Sequence, residues 1–203
     1  MACPYTKTVD GFESQFAVNH LAHFYLVNLL LPQLKAGKPA RVVVVSSVAN
    51  LNGPVNFDDI NSEKGYDRWA AYGQSKTANV LFVKQLNKLY SKDGILAFSL
   101  HPGIIRTNLQ QHMPIEELKA FGLVREDGTY TDMWKSIEQG AATSVYGALA
   151  PELVNHGGEH LEDCQVSPGV NTTHEYWGLA PHAADMNNAQ RLWDVSEKLL
   201  GLK

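Results

Sequence analysis

Tyr72 and Lys76 lie four residues apart in the stretch Ala71-Tyr72-Gly73-Gln74-Ser75-Lys76. On a helix that spacing stacks a phenol and an ammonium on one face. A free tyrosine has a pKa of about 10, too high for ready proton exchange near pH 7. A cation alongside stabilises the phenolate and is expected to lower that value. Such a pair suits general acid/base chemistry. The same spacing also occurs on solvated helix faces, so the elements around the pair decide its meaning.

Those elements alternate. Asp10 followed by Glu13 reads as a capping box, and Phe12, Phe16, Val27, Leu30, Leu31 and Leu34 recur at helical spacing, predicting a helix over about 11–35. Gly37 and Pro39 stop it. Its middle, Val18 to His23, is polar for so apolar a helix. His20 and His23 read as a partly exposed pair, and no third residue with metal-ligand spacing accompanies them. Val42 to Val45 form a β-branched run, apolar on both faces, that predicts a strand inside a helix-covered parallel sheet. The run ends at Ser46-Ser47, which places both hydroxyls at the carboxyl end of the strand, where open α/β sheets bind ligands. Two serines there also suit a simple turn or cap.

The connection over 48–69 is long for a strand-to-helix loop. The helix opened by Tyr72 runs to about Lys92 and breaks at Asp93-Gly94. Ile95 to Leu100 predict a second buried strand, followed by His101-Pro102-Gly103-Ile104-Ile105-Arg106-Thr107 at the same sheet edge. A short helix near 115–121, a turn at Asp127-Gly128, a helix over about 133–149, a strand near 159–165 and a last helix over about 187–200 complete the order. The alternation α-β-α-β-α-β-α implies an α/β fold with right-handed crossovers.

The 203 residues fit one domain. A formal net charge of -4 without a basic run argues against nucleic acid as a partner. Cys3 and Cys164 match no metal spacing and suit a reducing compartment. The first residues lack a signal-peptide core, and no apolar run reaches the roughly 20 residues of a membrane span. Cytoplasmic placement is therefore the expectation, and no metal is expected.

Taken together, Asn19 in a helix, Ser47 after a strand, Tyr72 with Lys76 on a helix, and Pro102-Gly103 after a strand resemble the short-chain dehydrogenase/reductase superfamily. The similarity is strongest to its retinol dehydrogenase and WW-domain oxidoreductase-like branch. Val18-Asn19-His20-Leu21-Ala22-His23-Phe24, the serine strand over 41–49, Ala71 to Asn79 and His101 to Thr107 are similar to that branch's motifs. The gap between Ser47 and Tyr72 exceeds the superfamily's common spacing, and that branch carries an insertion there. The resemblance implies a doubly wound, Rossmann-type parallel sheet with helices on both faces. It implies an NAD(P)-dependent oxidoreductase acting on an apolar alcohol, aldehyde or ketone, with NADP favoured and a homo-oligomer possible. By it, Tyr72 is the general acid/base, Lys76 lowers its pKa and bonds the nicotinamide ribose, and Ser47 holds the developing oxyanion. Asn19 supports a water that connects Lys76 to solvent. Pro102 and Gly103 belong to the cofactor loop, and Ile105 and Thr107 match positions touching the nicotinamide amide and the pyrophosphate side.

The sequence also departs from the family. It contains no Thr-Gly-x-x-x-Gly-x-Gly turn, and Met1-Ala2-Cys3-Pro4 resembles the residues just after the family's Asn-Asn-Ala-Gly motif. Residues 1–203 are thus expected to form the carboxyl-terminal part of the domain, holding its catalytic and substrate groups. The strand Val42–Val45 is expected to present an apolar edge. Membrane contact is left open, since this branch can anchor through its amino-terminal region. The alternative expectation is a non-catalytic fragment that serves as an interaction module or folds only with a partner.

Overall fold

The structure is a computed structural model that describes residues 1–173 and 176–203. The first helical stretch covers 14–36 in three pieces: α1 (Ser14–Phe16), a π-helical turn (Ala17–Leu21) and α2 (Ala22–Ala36). The expected capping box at Asp10 is absent. Glu13 caps instead, its carboxylate accepting from the backbone N–H groups of Gln15 and Phe16 at 2.8 and 2.7 Å. A carboxylate at N-cap satisfies donors that have no partner within the helix.

Strand β1 (Ala40–Val45) leads through a 3-10 segment (Val48–Asn52) and an extended connection to α3 (Arg68–Tyr90). This helix begins a full turn before Tyr72, because Asp67 caps it by accepting from Trp69 and Ala70 N–H. Strand β2 (Ile95–His101) and the short β3 (Ile104–Ile105) follow. Next come α4 (Ile115–Ala120), β4 (Trp134–Lys135), α5 (Ile137–Leu149), β5 (His160–Glu162) and β6 (Gln165–Val166). The chain ends with α6 (Pro181–Ala184) and α7 (Met186–Leu199).

The main sheet has the order β1-β2-β5-β6, with β1, β2 and β5 parallel and β6 antiparallel to β5. Val42 pairs with Ala97 and Val45 with Leu100. The single strand expected near 159–165 is a hairpin, turned at Asp163 and Cys164, both with positive φ. The helix expected from 133 starts at Ile137, because Trp134 and Lys135 extend to pair in parallel with Ile104 and Ile105.

Helices cover both faces of the sheet. On one, Val42, Val44, Ile95 and Ala97 pack with Phe24, Phe82, Leu86 and Trp193 of α2, α3 and α7. On the other, Phe98, Leu100 and Leu161 pack with Leu153 and with Tyr146 of α5. Among the described residues β1 has one strand neighbour, and its valines alternate: Val42 and Val44 are buried, whereas Val45 is 45% exposed. The continuous apolar run thus sits at a sheet edge and not in its interior.

His20 is fully buried among Phe16, Phe24 and Phe82, with Nε2 2.9 Å from Ser196 Oγ, while His23 is exposed. The two are not the partly exposed pair their spacing suggests. Among the described residues, no helix is long and apolar enough to cross a membrane.

Candidate active site

The carboxyl ends of β1 and β2 open onto a cavity of about 540 Å³. Asn19, Ser47, Tyr72, Lys76, Pro102, Gly103, Ile105 and Thr107 all line it. These are the eight residues expected from sequence to form the site, delivered by separate stretches of chain.

Hydrogen bonds and close packing hold this wall in place. The Ser47 side chain accepts from Ala49 N–H at 3.1 Å and so caps the 3-10 segment behind it. Ser46 Oγ donates to the Lys76 carbonyl at 2.7 Å, fastening the end of β1 to the middle of α3. Gly73 makes that approach close: a Cβ there would lie 2.9 Å from the Ala49 carbonyl oxygen and 3.1 Å from Asn52 Cβ. Gln74 anchors the long connection, accepting from Asn56 N–H at 2.8 Å and donating to the Ile60 carbonyl at 3.0 Å. Asn19 lies in the π-helical turn, a feature often found at functional sites, and donates to Ser75 Oγ at 2.9 Å.

Tyr72 is 4% exposed, and Lys76 Nζ sits 5.6 Å from its ring centroid. The cation was expected to pull the phenol pKa down. Instead burial dominates and raises it, and the opposing pull comes from the Ser47 hydroxyl. The phenol is therefore a protonated donor at neutral pH. Burial also lowers the Lys76 ammonium to about 8. Lys76 Nζ donates to the Val45 carbonyl at 3.1 Å, an oxygen that also accepts from Asn79 Nδ2 at 3.2 Å.

The opposite wall is the loop after β2. Gly103 adopts φ +91°, the left-handed region that favours glycine, and the Lys135 side chain crosses so close that a Cβ would push it aside. Lys135 is fixed in turn by an ion pair to Asp163. Ile105 packs on Gly140 of α5, where a side chain would collide with it. Thr107 caps a following 3-10 turn, accepting from Leu109 N–H at 3.1 Å. These residues fit the nicotinamide end of a dinucleotide: a lysine with N–H groups to spare faces a glycine turn across a cavity that bears the Ser47 and Tyr72 hydroxyls.

Several lining residues were not singled out from sequence. His101 closes the floor, its Nδ1 accepting from Val48 N–H at 3.3 Å, with burial lowering its pKa to about 4. Trp69, Leu109, Met113, Phe121, Leu123 and Met133 supply an apolar roof. Trp69 carries a signal of its own, since it precedes Tyr72 by three residues and shares its helical face, and 108–134 carries a coarser one, since like 48–69 it follows the carboxyl end of a strand and so borders the pocket. The others come from 108–134, whose sequence shows no sustained periodicity.

Comparison with known proteins bears on this geometry. The family model described as short chain dehydrogenase matches residues 4–117. Retinol dehydrogenase 14 of Homo sapiens is 43% identical over 202 residues, covering 98% of this chain. The chain belongs to the short-chain dehydrogenase family. Within it, the relatives place the chain in the retinol dehydrogenase-like branch of oxidoreductases. It spans 56% of the length of the human relative. A crystal structure of an uncharacterized protein from Mycobacterium paratuberculosis is 33% identical, covers 99% of this chain and 63% of that one, and superposes with a TM-score of 0.67. The 3-alpha-hydroxysteroid dehydrogenase from Pseudomonas sp. B-0831, complexed with NADH, shares the fold at a TM-score of 0.57 and 19% identity, covering 79% of this chain and 68% of that one. The doubly wound α/β architecture of this short-chain dehydrogenase is thus that of its solved neighbours.

Proposed function

We propose that this chain carries the catalytic half of an NAD(P)-dependent oxidoreductase that interconverts an apolar alcohol and its aldehyde or ketone. The observation that carries the reading is the meeting of Ser47, Tyr72 and Lys76 in a mostly apolar cavity. When bound, the dinucleotide supplies or accepts the hydride. Ser47 donates to the substrate oxygen and stabilises the charge that develops there, a preorganised contact that contributes several kcal/mol in comparable sites. Tyr72 delivers its hydroxyl proton to the same oxygen during reduction and recovers it during oxidation. Its raised pKa keeps that proton in place until the oxygen becomes basic. Lys76 holds the nicotinamide ribose, and Asn19 seats a water between Lys76 and solvent. Pro102, Gly103, Ile105 and Thr107 border the nicotinamide.

The name of the human relative, a retinol dehydrogenase, agrees with a long apolar substrate, and the steroid dehydrogenase neighbour was solved with NADH. We favour NADP, on resemblance to the retinol dehydrogenase branch. The test is NADPH and NADH oxidation with pentanal, decanal and retinaldehyde, using the protein as its own gene encodes it. Turnover that rises with chain length supports the reading; no turnover of any of the three with either cofactor refutes it.

The open edge of β1 and the exposed Tyr25, Leu26, Leu29 and Leu30 on α2 favour a second reading, in which these residues fold only against a partner surface. Stability that rises with protein concentration supports it. A concentration-independent unfolding midpoint refutes it.

A further inference from the structure

One carboxylate joins the cavity roof to the catalytic helix. Glu117 of α4 accepts from Arg68 Nη2 on both carboxylate oxygens, at 2.7 and 2.8 Å, and from the Trp69 indole N–H at 2.7 Å. Arg68 also donates to the His112 carbonyl at 2.9 Å and to the Ala2 carbonyl at 3.4 Å. Charge-assisted contacts of this kind are shorter and stronger than neutral ones. They fix the Trp69 ring edge-on to Tyr72, with centroids 6.1 Å apart and planes at 79°. On the other side Trp69 meets Phe121 edge-on at 5.2 Å. Met113 and Met133, which share the roof, are unbranched chains that shift to fit what lies below them. Trp69 cannot shift without breaking its hydrogen bond to Glu117.

We infer that Trp69 is the specificity-determining wall beside the reacting hydroxyl, and that Glu117 is its positioning residue. The pinned indole admits carbonyl compounds with an unbranched carbon next to the carbonyl and rejects those branched there. The inference rests on the oxidoreductase reading and adds to it the shape of the substrate.

Pentanal and pivaldehyde contain the same atoms and differ only in branching beside the carbonyl. In the protein as its own gene encodes it, Trp69→Ala raises the ratio of kcat/KM for pivaldehyde over pentanal by about tenfold or more, the scale of discrimination a steric contact provides. Trp69→Leu carries the same expectation should the alanine variant fail to fold. Glu117→Gln shifts the ratio in the same direction, chiefly through KM. It also moves the Trp69 indole N–H proton resonance upfield and opens it to solvent exchange, a change that simple loss of stability does not produce. The resonance is assigned by its disappearance in Trp69→Phe. A parent that turns over pentanal, with a ratio unchanged within about twofold in Trp69→Ala, overturns the inference and leaves the oxidoreductase reading standing. An indole resonance unmoved in Glu117→Gln overturns the role of Glu117. A parent inactive on every aldehyde and both cofactors refutes the oxidoreductase reading, and the inference falls with it.

Discussion

Tyr72 keeps its ring packing when its hydroxyl is removed, so Tyr72→Phe separates chemistry from fold. Turnover should fall by about a hundredfold to ten-thousandfold, the range a positioned acid/base contributes, with the unfolding midpoint preserved. Activity within about tenfold of the parent would reassign the proton donor. Lys76 makes a second test. Its ordinary pKa of 10.5 falls to about 8 in the folded protein. The folded state therefore binds fewer protons than the unfolded chain between these values, so stability rises with pH through that window and is lowest below pH 8. Tyr72 titrates above its ordinary value, which leaves pH 8 to 10 as the clean interval. The difference in unfolding midpoint between the parent and Lys76→Met should shrink across it, and a constant difference would show that Lys76 titrates as a solvated amine. The register of Tyr72 and Lys76 was legible in sequence because a helix repeats every 3.6 residues. The direction of the tyrosine shift was not. Burial decides it, and burial depends on cavity walls that separate stretches of the chain supply, while the Ser47 hydroxyl pulls the other way.

At the scale of elements, the contact of α3 with the segment after β1 is close enough to test with one methyl group. A Cβ on Gly73 would meet the Ala49 carbonyl oxygen at 2.9 Å, and a backbone atom does not yield as a flexible side chain does. Gly73→Ala should cost about 1–3 kcal/mol of stability, and it should lower turnover as well, since Ser47 caps the displaced segment. A loss of stability with turnover intact would show that Ser47 does not depend on this contact. The strands and long helices were readable because their apolar residues recur at regular intervals. The small elements were not. β4 is two residues long and exists only because Ile104 and Ile105 offer it a partner. The turn at Asp163 and Cys164 lacks the glycine or asparagine that usually marks positive φ, so the β5–β6 hairpin read as one strand. Glu13 caps a helix from the position assigned to the far end of a capping box, a shift of one turn that composition alone does not resolve.

Across the whole molecule, among the described residues, His20 and His160 are buried and His101 is half-buried, all three in the neutral state. Burial lowers His20 and His160 from an ordinary 6.5 to about 3, and His101 to about 4. Below pH 6.5 the unfolded chain takes up protons that the folded chain refuses, so stability present above that value is lost as pH falls toward 4. Each histidine adds a slope of up to about 1.4 kcal/mol per pH unit. The urea midpoint should drop steeply between pH 7 and 5, less so in His160→Gln; a midpoint flat across that range would mean the histidines are solvated. The packing of α7 bears on time as well as on energy. Trp193 closes the aromatic cluster of Phe24 and Phe82, although it is made more than a hundred residues after either. The pairing of β2 with β5 likewise waits on distant chain. Contacts so remote in sequence slow folding, and here they postpone it: on the ribosome, the earlier elements emerge with their aromatic face uncovered and stay so until the last helix is synthesised. A stop codon before Met186 would leave that face open for good, producing a chain that quality-control proteases meet as a folding intermediate.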